Sequence, residues 1–260
     1  MLLSGAALLL ASSQQPSLAA PAPKLVFVAG ATGQTGRRVV QQLLASGVSV
    51  VAGVRDVAKA KKLGLDKGAR VVKIDVTEPA TLASALAGVD AVVCATGFTP
   101  SFNFSKDNAQ AVDQKGTFAL VDAAKAAGVT SFVLVSSLLT NAPAIGQTEN
   151  GNYKFLNALG GILDAKRAAE LHLASSGLRW TVIRPGGLSN DLPSVTGAII
   201  TRPEDTLLGL EGDPGREVSR DSVASLAIAA LTDDLASNKI VEVVASPTAV
   251  ALEPSKWFAV

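Results

Sequence analysis

The chain has 260 residues, a net charge of +1 and 48% apolar residues, enough to close a sizeable core in one domain or two. With no dense Lys/Arg run and 4% aromatic residues, it offers neither an electrostatic surface for nucleic acid or membrane nor a base-stacking platform. A single cysteine, Cys94, and a single histidine, His172, exclude an internal disulfide and a Cys/His zinc cluster, so no metal site is expected.

The opening stretch, MLLSGAALLLASSQQPSLAAPAP, carries no charged side chain before Lys24, and its apolar run is too short and interrupted to span a bilayer. Residues 1–23 read as a targeting segment, or as a disordered tail. Ser17, Leu18 and Ala19 suit a signal-peptidase site, but the basic n-region is missing. A Ser-rich, acid-poor composition suits an organellar transit peptide, which should however carry Arg.

From Lys24 onward, short apolar runs alternate with amphipathic stretches. The first run, 25–29, enters the string GATGQTG, and a helix is expected over 36–46. Gly30 permits a tight turn, Gly33 lets backbone approach a pyrophosphate, and Gly36 lets the helix pack on the sheet. Amides around Gln34 and Thr35 would then point at phosphates from a helix N-terminus. The spacing is GxxGxxG rather than the commoner GxGxxG, but its place between strand and helix predicts dinucleotide binding.

The second strand, 49–54, ends on Arg55 and then Asp56. Arginine there suits a 2′-phosphate and favours NADP, whereas a carboxylate would bind the ribose hydroxyl of NAD, which stays the alternative. After the third strand, 70–74, Asp75 and Val76 stand where an adenine amino group and ring face would be met; Asp75 also suits a plain loop or cap residue. A helix over 79–87 precedes the fourth strand, 91–95. Cys94 within it reads as a buried residue rather than a nucleophile. GFTPSFNF follows, interleaving Phe98, Phe102 and Phe104 as an apolar lid or as loop packing. Beyond a helix over 108–127, the fifth strand, 132–136, closes on Ser136 and Ser137, which would either bond a substrate carbonyl or satisfy a local turn. A helix over 162–176 carries Lys166, and His172 on it reads as a surface or packed residue. The sixth strand, 180–184, runs into RPGG. Residues 189–216, rich in Pro, Gly and Asp, read as a loop region near a site. A helix over 219–231 and a strand over 240–244 complete the pattern.

Most of these strands are continuous β-branched runs, as expected when both faces are buried. Their alternation with helices predicts an α/β fold: a single doubly wound Rossmann-type parallel sheet with helices on both faces. That domain is expected over 24–246, with substrate loops at 97–107, 138–152 and 187–216, and a C-terminal tail at 247–260.

Together, GATGQTG, GVRD, IDVT, CATG, VLVSS, AKRAAE and IRPGGL resemble the atypical, NmrA-like branch of the short-chain dehydrogenase/reductase superfamily, in the order that family shows. Longer strings, among them FLNALGGILDAKRAAE, RPGGLSND and RPEDTL, resemble plastid-targeted, flavin-reductase-related proteins of plants and algae. The resemblance implies a chloroplast location, in stroma or plastoglobule; were the leader only a tail, the cytoplasm would be the alternative. It implies cofactor contacts at Thr32, at Ala95, Thr96 and Gly97, and at Pro185, Gly186 and Gly187. It also implies a catalytic set of serine, here Ser136 or Ser137, with Tyr-x-x-x-Lys. Lys166 matches the lysine, which binds the nicotinamide ribose and lowers the tyrosine pKa. Ile162 stands at the tyrosine position and has no proton to give. Tyr153 lies about 13 Å back along any continuous helix.

Two readings follow. One is an NADPH-dependent reductase of a small conjugated acceptor, flavin- or quinone-like, which needs no protein acid because water protonates the delocalised anion. The other is a non-catalytic redox sensor or scaffold whose protein partner depends on the bound dinucleotide. An epimerase is disfavoured by the absent Tyr-Lys pair and the short C-terminal region.

Overall fold

The computed structural model describes residues 22–98, 108–158 and 160–260. Nearly all of the leader, and the stretch holding Phe102 and Phe104, lie outside the described residues. The strands are β1 (Leu25–Ala29), β2 (Ser49–Val54), β3 (Arg70–Lys73), β4 (Ala91–Cys94), β5 (Ser131–Val135), β6 (Arg179–Pro185), β7 (Gly187–Ser189), β8 (Ala198–Pro203), β9 (Glu217–Ser219) and β10 (Lys239–Ser246). The helices are α1 (Gln34–Ala45), α2 (Val57–Lys62), α3 (Leu82–Ala85), α4 (Thr117–Ala126), α5 (Gly151–Ala158), α6 (Ile162–Ala174), α7 (Pro193–Thr196) and α8 (Arg220–Ala229).

An 8-stranded sheet takes the order β3-β2-β1-β4-β5-β6-β10-β8. Every pairing in it is parallel except β10 with β8, where Val243 stands opposite Thr201. The order reverses beside β1, leaving a crevice outside the carboxyl ends of β1 and β4, where ligands of open α/β sheets bind. Residues along β1 explain why the strands lack polar alternation. Val26 and Val28 join the core that includes Val39, Val40 and Leu43 of α1 and Val223 and Leu226 of α8. Phe27 and Ala29 join the opposite core, with Leu82 of α3, Leu120 of α4 and Leu173 of α6. Both faces are covered, so both residue parities are apolar.

Helices α2 and α5 were not among the expected elements, and three further regions depart from them. The stretch 189–216 is not all loop. It contains α7 and β8, and β8 closes the sheet edge with exposed Arg202 and Pro203 where neighbouring chains would otherwise pair. The helix expected over 108–127 begins as a π-helical segment, Gln110–Gly116, before α4, and such segments frequently mark functional sites. At the C-terminus, residues 247–260 fold back: Phe258 is buried, and Lys239 Nζ donates to the carbonyl oxygens of Phe258 and Val260 at 2.8 and 2.9 Å. His172 is packed, stacking on Phe118 with Nε2 2.7 Å from Asp122 Oδ1.

Candidate functional site

The turn after β1 leaves no room for a side chain at Gly30 or Gly36. Gly30 has φ +75°, and a Cβ there would lie 2.8 Å from the Ala95 carbonyl oxygen. A Cβ at Gly36 would meet the Gly30 carbonyl oxygen at 2.3 Å. The glycines therefore bring the start of α1 down onto the ends of β1 and β4. Gly33 caps α1 without any side-chain hydrogen bond. The amides of Gln34, Thr35 and Gly36 precede the first intrahelical bond, Arg37 N to the Gly33 carbonyl at 3.0 Å. These amides are donors that a helix start leaves for an anion.

A cavity of about 210 Å3 opens here, lined by Gly30, Thr32, Gly33, Arg55, Asp75, Val76, Ala95, Thr96 and Gly97. Gly53, Val54, Lys59, Ile74 and Val112 complete the wall. Gln34, Thr35 and Gly36 are not part of it, and Thr35 and Gly36 lie buried beneath the turn. The glycine cradle and orphan amides fit a dinucleotide pyrophosphate, and the Arg55–Lys59 side adds two cations at the same wall. Asp56, next to Arg55, is engaged elsewhere: its Oδ1 accepts from Lys59 N at 2.9 Å and caps α2. Asp75 holds its own loop, with Oδ1 accepting from Thr77 N at 2.9 Å and Thr77 Oγ1 at 2.8 Å. Lys59 was missed, although it stands one helical turn after Arg55 and follows from the same strand-to-helix pattern.

Beyond Gly97 the site becomes ionic. Lys166 Nζ lies 2.8 Å from Asp113 Oδ1, whose other oxygen accepts from Phe98 N at 2.9 Å. A Cβ at Gly97 would stand 3.8 Å from Lys166 Nζ, which places the ion pair at the cavity rim. Asp113 sits on the π-helical segment and is 2% exposed, so Lys166 is its compensating charge. No sequence signal marked Asp113, because its partner is 53 positions away and belongs to another helix.

Ile162 is buried in a small cluster with Ala109, Ala165 and partly buried Phe98. The tyrosine position is thus filled by packing, and Ile162 is covered by neighbours. The helix is not continuous back to Tyr153. Gly160 and Gly161, at φ +102° and +69°, separate α5 from α6. Tyr153 accordingly folds back, its hydroxyl donating to Asp164 Oδ1 at 2.9 Å. Burial and the Asp164 carboxylate raise its pKa, so the phenol keeps its proton.

The two serines part company. Ser136 is buried, and its hydroxyl donates to Glu170 Oε1 at 2.6 Å. It faces an internal ion cluster, which corrects its expected place against a substrate. Ser137 instead lines a second cavity, of about 460 Å3, with Leu138, Leu139, Asn152, Phe155, Leu156, Pro185, Gly186, Gly187, Leu188, Gly209, Arg216 and Arg220. This size suits a small organic molecule.

The ion cluster fixes the backbone behind that cavity. Arg184, fully buried on β6, donates through Nη2 to Glu170 Oε2 at 2.8 Å and through Nη1 to Asp205 Oδ1 at 2.8 Å. Burial works against its charge, but the Glu170 and Asp205 carboxylates outweigh it and raise its pKa. Glu242 on β10 accepts from the amides of Asp205, Thr206 and Leu207 at 2.9, 3.0 and 2.7 Å. From there Asn150 and Asn152 reach the carbonyl oxygens of Leu208 and Gly209, both at 2.9 Å. The cluster therefore ties β6, β10 and α5 to the loop beside the cavity.

Comparison with known proteins agrees with this architecture. The family described as NAD(P)H-binding matches residues 30–234. An uncharacterized chloroplastic protein of Arabidopsis thaliana is 49% identical over 225 residues, covering 85% of this chain and 77% of that protein. Sanguinarine reductase of Eschscholzia californica is 30% identical over 267 residues, covering 90% and 93% of the two chains. Among solved structures, a putative NAD-dependent epimerase/dehydratase from Bacillus halodurans superposes with a TM-score of 0.72 at 27% identity, covering 91% of this chain and 99% of that one. The chain belongs to the NAD(P)H-binding Rossmann family, and to its atypical, NmrA-like short-chain dehydrogenase/reductase type.

Proposed function

We propose that the protein is an NADPH-dependent reductase that passes a hydride to a conjugated acceptor, flavin- or quinone-like, without a catalytic tyrosine. The observation that carries this reading is the wall of the second cavity. It joins the family's nicotinamide-side turn, Pro185–Gly187, to apolar side chains, and among the described residues Ser137 is its one hydroxyl-bearing residue. An acceptor whose reduced form is a delocalised anion takes its proton from water, so the site need only orient the partners and exclude competing reactions. The cofactor supplies the hydride. The chain's residues do the rest: the glycine turn and α1 amides hold the pyrophosphate, Lys166 meets the nicotinamide ribose, and Ser137 bonds the acceptor. Asp113 positions Lys166. The names of the relatives support two further points, reductase chemistry from the poppy enzyme and a plastid location from the Arabidopsis protein.

Arg55 and Lys59 at the cofactor wall, with Asp56 committed to capping α2, favour NADPH over NADH. The deciding measurement is NADPH oxidation with quinones and flavins, alongside direct titration with both cofactors. Arg55→Ala is expected to weaken NADPH at least about tenfold, the scale of one charge-assisted contact, and to leave NADH unchanged. Equal loss of both cofactors would remove the NADP assignment, and no turnover with any acceptor would remove the enzyme.

A second reading, a dinucleotide-responsive scaffold, is favoured by one observation. Leu192, Val195, Val250 and Leu252 are exposed on segments that frame a groove floored by Ile199 and Trp257. It predicts tight cofactor binding without turnover, and a partner released when the cofactor's redox state changes.

A further inference from the structure

The second cavity carries a charge that the reductase reading does not use. Among the described residues its charged wall residues are Arg216 and Arg220; the neighbouring Glu217 packs its Cγ 3.1 Å from where a Gly187 Cβ would stand. Arg216 is held there by its backbone. Its carbonyl oxygen accepts from Gly187 N at 2.8 Å, and a Cβ at Gly186 would stand 2.5 Å from that oxygen. Only a glycine at 186 lets the two segments approach so closely, so the backbone of the exposed Arg216 is fixed beside Pro185–Gly187.

Arg220, at the first position of α8, donates through Nη1 to the Leu188 carbonyl at 2.8 Å and to Asn190 Oδ1 at 3.1 Å. Both acceptors are neutral. The nearest carboxylate on its own helix, Asp221, is engaged by Arg38 at 3.0 Å. Burial and the like charges of Arg38 and Arg37 press the Arg220 guanidinium below its ordinary range, a local excess of positive charge that an anion would relieve. Across the cavity the surface is apolar. Phe155 is 67% exposed there, a large ring left open to solvent at the cavity wall.

We propose that this cavity takes an acceptor that bears a carboxylate on a flat apolar body, the carboxylate lying on Arg216 and Arg220 and the body against Phe155, Leu156 and Leu138. The inference rests on the reductase reading and adds its substrate class. The cofactor phosphates do not account for these arginines, because the phosphate cradle and the Arg55–Lys59 pair line the other cavity. Two planar guanidinium forks suit a carboxylate better than a neutral carbonyl would require.

The test uses a naphthoquinone bearing a propionate side chain and its methyl ester, two acceptors with one ring system. Each would be reduced to the hydroquinone by the hydride of NADPH and one proton from water, leaving NADP+. In the full-length protein the acid should show a KM at least about tenfold below that of the ester, the scale of one charged contact. The double variant Arg216→Gln, Arg220→Gln should erase that gap by raising the KM of the acid alone, with the NADPH dissociation constant unchanged. Equal KM values for acid and ester in the wild type overturn the proposal. So does a parallel loss of NADPH affinity in the double variant, which would assign the arginines to the cofactor. If neither quinone turns over, the reductase reading fails, and calorimetric titration of the NADP-saturated protein decides this inference separately. Binding of the acid over the ester, lost in the double variant, upholds it, and no preference overturns it.

Discussion

The two cavities lie at the same edge of one sheet and are built by opposite means. The cavity at the glycine turn is shaped first by backbone: Gly30 and Gly36 stand where an added Cβ would strike a carbonyl group, and the wall so placed carries Thr32, Arg55 and Lys59. The cavity behind Pro185–Gly187 is shaped by side chains whose backbone is tied down by the Arg184 ion cluster. The first construction tolerates no added atom. The second also needs a glycine, at 186, but depends in addition on charge balance several residues away from its wall.

Breaking the ion cluster should therefore separate the two. Arg184→Leu leaves Glu170 and Glu242 buried without their cation, a change that typically costs about 3–5 kcal/mol. Chemical denaturation should show that loss. The surviving folded fraction should still bind NADPH near its wild-type affinity while losing acceptor binding. Should Arg184→Leu fail to fold, Asp205→Asn cuts one arm of the cluster at a partly exposed position and should show the same division at smaller cost. Equal loss of cofactor and acceptor binding in the milder variant would show that the cavities share one scaffold.

Gly30→Ala makes the reverse cut. The left-handed backbone and the 2.8 Å approach to the Ala95 carbonyl should lower stability by about 1–3 kcal/mol. The larger effect is on binding, with NADPH affinity falling at least about tenfold as the strained turn moves away from the phosphates. Calorimetry of the acceptor acid on the variant should show little change. Unaltered NADPH affinity would mean that the turn serves packing alone.

This contrast also explains how much was legible in the sequence. The glycine turn and Arg55 are local: each follows from a strand, a turn and a helix that are neighbours in the chain. Strands β1, β2 and β4 are legible because burial on both faces writes an unbroken apolar run. The second cavity is assembled from several separate segments between Ser137 and Arg220, and no period in the chain announces it. Strand β8 escaped because its partner β10 is distant and its ending, Arg202-Pro203, reads as a loop. Helix α5 buries no residue completely, so it carries no helical stripe to find. The Gly160-Gly161 pair was a readable break, and it decides where Tyr153 goes. Ser136 and Ser137 show the limit: adjacent and alike, they face opposite sides of the strand end, one into an ion cluster and one into a cavity.

The smallest expected effect concerns proton linkage within the cluster. Burial raises the Glu242 pKa, and the amides of Leu207, Asp205 and Thr206 with Arg184 offset that only in part. Its folded value lies above its unfolded one, so folding favours the protonated form. That contribution is complete below the ordinary glutamate range and is lost as pH rises through the raised folded value. Glutamine at this position is neutral at every pH and keeps one oxygen for the amides. The stability difference between wild type and Glu242→Gln should therefore move in the variant's favour as pH rises from the ordinary glutamate range through the raised folded value. Denaturation at several pH values measures it. A wild-type advantage that grows with pH would mean that Arg184 and the amides outweigh burial, with Glu242 acting as an ordinary buried counter-ion of the cluster.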